Sequence, residues 1–107
     1  MDNNLSLTSY SHNLPKNLYA DITGFVEGDV LPRALLYHAI KKYLSYKGFE
    51  LCTCITVTQK GLCDVSEVSD NLEKHLGGFD GCDEYEAVEK AVLYLYETNQ
   101  LHSPAKS

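Results

Sequence analysis

Two stretches of the chain repeat apolar residues at helical spacing. Leu36, Ala39, Ile40, Tyr43 and Leu44 fall in one stripe at about 100° per residue, with His38, Lys41, Lys42 and Ser45 on the opposite side. Pro32 suits a first helical turn, where its missing N–H costs nothing, and Gly48 directly after Lys47 is a glycine stop behind a cation. The pattern predicts a helix over about 32–47. Tyr85, Val88, Ala91, Val92, Leu95 and Tyr96 form a second stripe, with Glu86, Lys90 and Glu97 opposite, and predict a helix over about 84–99. Asp83-Glu84-Tyr85-Glu86 opens it as a capping box, Asp83 being the cap and Glu86 reaching back.

Between the helices, alternation and β-branching over about 50–68 predict a hairpin turning at Gln59-Lys60-Gly61. A two- or four-residue loop puts Cys52, Cys54, Thr56, Cys63, Val65 and Glu67 on one face, and Leu51, Thr53, Ile55, Val57, Leu62, Asp64 and Val68 on the other. A three-residue loop with a bulge would break that parity. Residues 69–81 read as a helical turn or as a strand entering at Leu76, and Gly77-Gly78 and Gly81 favour a turn or an irregular crossing. Residues 18–30 fit a short strand or a packed loop. A third strand from 18–27 or 72–79 is expected, because two strands seldom stabilise a domain. The fold class is α+β: one domain over 1–107, a small antiparallel sheet with both helices on one face. Residues 1–17 are expected as a loosely ordered arm touching down through Leu5, Leu7 and Tyr10, and 101–107 as a frayed tail.

Charge divides the chain into three parts. Residues 1–30 carry a net −3, residues 31–61 a net +4, and residues 62–107 hold ten acids against Lys74, Lys90 and Lys106, a net −7. Two readings follow: solvated faces that keep a small domain in solution, or an acidic face that docks on a basic partner. The overall −6 disfavours binding to phosphates. Arg33, His38, Lys41 and Lys42, with Tyr37 or Tyr46 for stacking, are too few to outweigh it, so nucleic acid is not the expected partner. No apolar run approaches the roughly 18 residues of a membrane span, so no membrane association is expected. MDNNLSLTSY has no basic start or apolar stretch of a secretory signal, so a cytoplasmic location is expected.

Candidate chemistry is sparse. Cys52, Cys54 and Cys63 on one strand face, with Cys82 or His75 as a fourth ligand, would make a zinc- or thiol-dependent protein. No Cys-x-x-Cys pair is present, which favours reduced thiols used as small packing residues, and no cofactor is expected. Cys82 lies just ahead of a helix start, where a dipole lowers a thiol pKa, but Asp80, Asp83 and Glu84 oppose the thiolate. Asp83, Glu84 and Glu86 are better explained by the helix dipole than by acid–base catalysis. The glycines of 77–81 lack the spacing and the Lys of a phosphate loop. No catalytic residues are assigned, and the chain reads as a non-enzymatic protein.

The segment GFDGCDEYEAVEKAVLYLYE, with Phe79, Glu86, Ala87 and Ala91 at its marked positions, resembles the ending of small phage and mobile-element accessory proteins. There a hairpin leads through an aromatic-Gly turn into a helix of this form. The resemblance spans about 33–97 and implies a protein that modulates another one: an inhibitor, an immunity factor or an adaptor. Leu93 falls on the polar side of the second helix among Glu86, Glu89, Lys90 and Glu97, with Tyr94 on its border. Two readings of Leu93 stand: one ordinarily exposed Leu on a monomer, or the centre of a partner-binding patch of these six residues, which a homodimer would use with Leu93 near the two-fold axis.

Overall fold

The computed structural model describes residues 11–28, 30–70 and 72–101. Its elements run α1 (Lys16–Phe25), α2 (Arg33–Tyr46), β1 (Phe49–Ile55), β2 (Gly61–Ser69), β3 (Leu72–Gly81) and α3 (Glu84–Glu97). The strands form one antiparallel sheet in the order β1-β2-β3. Helix α3 lies across the sheet, α2 packs beside it over β1, and α1 packs on α2. The fold is α+β, as the helix–hairpin–helix pattern predicts.

The apolar stripes of the two long helices are the core. Leu36, Ala39, Ile40, Tyr43 and Leu44 of α2 are all buried, as are Tyr85, Val88, Ala91, Val92 and Leu95 of α3. Phe49, Cys63 and Val65 meet them from the sheet, and Leu14, Leu18 and Ile22 close the near end. Burying a side chain of this size contributes about 1.5–3 kcal/mol, so the two stripes supply most of the attraction between layers. Pro32 precedes α2, and its carbonyl accepts from the N–H of Leu36 at 2.8 Å. Gly48 takes φ +95° just past the helix, a conformation that suits glycine.

Three expectations change. Residues 16–25 are a helix, because Leu18 and Ile22 four apart bury together on α2, a pattern too short to separate from a strand in sequence. The third strand expected at 18–27 or 72–79 is found at the second place as β3, entering at Leu72 and not at Leu76. Its glycines pair with β2 and form no turn, and a bulge leaves Leu76 between the Val65–Gly77 and Ser66–His75 pairs. Thirdly, the face parity of the hairpin is reversed. Thr53 lies opposite Cys63 and Leu51 opposite Val65, so Cys63 and Val65 share the helix-covered face with Phe49, Leu51 and Thr53. The Thr56 N–H donates to the carbonyl of Lys60 at 2.8 Å, closing a three-residue loop over Val57–Gln59, and Gln59 takes φ +69°. That odd loop length turns every β2 side chain over. Gly61 is not a turn residue: it lies inside β2 against the backbone of Asp83, where a Cβ has no room. Of the expected arm, residues 1–10, including Leu5, Leu7 and Tyr10, lie outside the described residues; Leu14 is buried and α1 begins at Lys16. Leu101 is buried, and 102–107 lie outside the described residues.

Candidate functional site

The reversed parity separates the thiols. Cys52 and Cys54 point out from the bare face of the sheet, Cys63 is buried on the other, and Cys82 is exposed before α3. The three strand cysteines therefore cannot close on one ion, and no group of three or more His, Cys, Asp or Glu suited to a metal occurs among the described residues. Burial, with Asp64 adding to it, pushes the Cys63 thiol up to about 12. The Cys82 thiol is also raised, first by its hydrogen bond to Glu86 and then by that carboxylate's charge, so the helix end does not activate it.

Helix α3 uses most of the expected patch internally. Glu89 is only 3% exposed; it accepts from the Tyr85 hydroxyl at 2.7 Å, the Asn13 backbone N–H at 2.9 Å and the Asn13 side-chain amide at 3.2 Å. Sequence alone placed Glu89 on a solvated face because Asn13, which supplies two of its three bonds, lies 76 residues away. Glu86 accepts from the backbone N–H of Cys82 at 2.6 Å, one residue ahead of the cap, while Asp83 accepts from the N–H of Glu86 at 2.8 Å. The bond from Cys82 holds the Glu86 carboxyl below its ordinary value. Lys90 donates to the backbone carbonyl of Asp80 at 2.8 Å. Leu93 is half-buried against the core, and Tyr94 leans on Phe79 with ring centroids 5.4 Å apart. Only Glu97 is exposed without such a contact. The six residues are therefore not a free apolar centre with a charged rim.

The basic face of α2 is similarly reduced. Arg33 is buried, its guanidinium 4.1 Å from the Tyr85 ring centroid and 3.5 Å from Asp83. Tyr37 hydrogen-bonds Thr53 at 2.9 Å, and Lys41 sits over the Tyr37 ring. His38, Lys42 and Tyr46 remain exposed.

Two other surfaces stand open. The first is the far end of the β2–β3 hairpin. Ladder pairing of β1 with β2 ends at Phe49–Glu67, with one more bond from the Val68 N–H to the Gly48 carbonyl, whereas β2 and β3 continue through Val68–Glu73 and Ser69–Leu72. Leu72 is 73% exposed there and Val68 41%, on opposite faces of the hairpin, with the exposed acids Glu67, Asp70 and Glu73 around them. Each face of the hairpin end thus presents one exposed apolar side chain with an acid beside it, a composition suited to contact with a partner. Apolar residues on both sides of the Ser69-Asp70 turn were the available signal, masked in sequence by the expectation that the hairpin ended at Val68.

The second is the β1 edge. The Thr56–Lys60 and Val68–Gly48 backbone bonds fix the alternation of the ladder. Glu50, Cys52 and Cys54 are thereby bonded to β2, and the N–H and C=O groups of Phe49, Leu51, Thr53 and Ile55 point away from the sheet. Beside them a groove of about 630 Å³ runs between α2 and β1, lined by Lys41, Ser45, Phe49 and Leu51 among others. No helix among the described residues is long and apolar enough to cross a membrane. Compared with protein-family models, curated proteins and solved structures, the chain finds no match.

Proposed function

We propose that this is a small non-enzymatic binding module that docks on a basic surface of a partner protein and occludes or modulates it, in the manner of an inhibitor, an immunity factor or an adaptor. One observation carries the reading: the β2–β3 hairpin runs past the end of β1 and offers Leu72 and Val68 among Glu67, Asp70 and Glu73. With one apolar side chain on each face of the projecting end, a partner that grips the hairpin from both sides would cover Leu72 and Val68 together, and the acids beside them select a cationic cover. The net −7 of residues 62–107 adds long-range attraction to such a partner.

The test is capture from the native host at low and at high salt, with wild type beside a Glu67→Lys, Glu73→Lys double variant and Leu72→Ser. All three changes lie at exposed positions, so the fold should persist, which circular dichroism checks. A specific partner should bind at low salt, weaken as charges are screened, and be lost from the charge-reversed protein. Absence of any specific partner at low salt, or capture that ignores the reversals and Leu72→Ser, sinks the reading.

A further inference from the structure

We infer that the β1 edge is a self-association surface, on which a second copy of this chain adds its own β1 antiparallel to make one continuous six-stranded sheet. The edge is unguarded. Over Phe49–Ile55 there is one charge, Glu50, with no proline and no bulge to block pairing. Its outward backbone groups have no backbone partner among the described residues.

What identifies the occupant as a second copy is the way the edge complements itself. A two-fold axis through Cys52 sets Phe49 against the second copy's Ile55, Leu51 against its Thr53, and Glu50 against its Cys54. All seven residues of β1 are then used. The outward-pointing residues meet one another as hydrogen-bonded pairs, giving about eight new N–H···O bonds across the axis. No like charges face each other in this register, since the one charge lies opposite a thiol. Ile55 is 49% exposed at one end of the strand, and the groove, lined by Lys41, Ser45, Phe49 and Leu51 and reaching Glu50 and Val68, lies at the other. The two-fold carries each Ile55 to the other copy's groove, so one operation covers both the exposed apolar side chain and the unfilled space. A patch that supplies both halves of its own complement is the isologous arrangement expected of a two-fold dimer.

On the bare face, the same register puts the two Cys52 side chains opposite each other as a non-hydrogen-bonded pair. The Cα separation of such a pair, about 4.5 Å, lies within disulfide range. Cys54 has no thiol opposite it. The register therefore leaves a chemical signature, readable with an added oxidant.

The experiment is sedimentation of the full chain from low to high micromolar concentration, beside Ile55→Lys and Thr53→Pro, followed by diamide oxidation and peptide mapping. Wild type should be a dimer. Ile55→Lys should raise the dissociation constant by about tenfold or more while leaving the far-ultraviolet spectrum unchanged. Thr53→Pro should also yield monomer, because its N–H faces outward and proline is tolerated there on an edge. Diamide, by accepting two electrons and two protons from a pair of thiols, should link wild type and Cys54→Ser through Cys52 to Cys52, and fail to link Cys52→Ser through the strand. Should either edge variant misfold, amide exchange on wild type replaces it: the N–H groups of Leu51 and Thr53 should gain protection with concentration. A wild-type monomer overturns the proposal, whether those amides are free or are protected by another segment of the chain. So does a dimer indifferent to both edge variants, or one linked only through Cys82. The charge-reversal and Leu72→Ser test of the hairpin touches none of these residues, so either reading can fail without the other.

Discussion

The two edges of the sheet are built to opposite rules. β3 is blunted. It bulges at Leu76 and carries Glu73, Lys74, His75 and Asp80, and α3 packs over it. The Asp80 carbonyl, which the alternation of the ladder points away from β2, accepts from Lys90. β1, though α2 packs over its inner face, has a single charge, Glu50, no bulge and, among the described residues, no side chain bonded to an outward carbonyl over seven residues. Charged side chains, bulges and covered carbonyls are how sheets avoid unwanted pairing, so one defended edge shows that the chain has the means and withholds them from the other. The lesson is to treat β1 as a surface kept free for pairing and not as a neglected boundary.

The comparison breaks most severely at the strand both edges share. Gly61 begins β2, and a Cβ there would collide with the backbone of Asp83 and Glu84, which cannot rotate aside. Gly61→Ala should cost about 3 kcal/mol or more, read by urea unfolding, with both edges lost together. A smaller effect sharpens the contrast. Cys52→Pro removes an N–H that bonds β2 and should cost about 2 kcal/mol, whereas Thr53→Pro removes an outward one and should cost about 1 kcal/mol, mainly the bond to Tyr37. Equal losses in monomeric protein would show that the inward and outward positions are wrongly assigned. The smallest effect belongs to the α3 end of β3. The native Glu86 carboxyl is lowered by the bond from Cys82, so its contribution is present above the ordinary glutamate range and lost as pH falls through the depressed native value. Glu86→Gln should cost no more than about 0.5 kcal/mol at neutral pH, because the side chain is partly exposed and the amide oxygen can still accept from Cys82, and should flatten the acid limb of the stability profile.

What could be read from sequence were features with local causes. The α2 and α3 stripes, the stop at Gly48 and the Asp83 cap depend on residues within a turn of one another, and each is found. Pairing across distance was not legible. The loop after β1 turns on Gln59 adopting a left-handed backbone, while Gly61, the more obvious turn residue, is needed for its close approach to Asp83. That single displacement reversed the face of Cys63 and removed the metal reading. Glu89 and Leu93 followed the polar side of their own helix, and the burial of Glu89 rests on Tyr85 one turn back together with the distant Asn13. The exposed hairpin end and the β1 edge were missed for a related reason: both are defined by where a neighbouring strand stops.

The grip of Asn13 on Glu89 also has a kinetic meaning. From β1 to α3 the chain is a meander of near neighbours, each closure needing only a short loop. The N-terminal segment can pack α1 on the neighbouring α2, but the Asn13 bonds to Glu89 must close across 76 residues. Closing that long loop is expected to be a late event, so Asn13→Ala should speed unfolding more than it slows refolding, read by stopped-flow chevrons. Contacts made late set how long the native state lasts and leave the speed of its formation largely unchanged. In this protein the first described residues act as a clasp on lifetime.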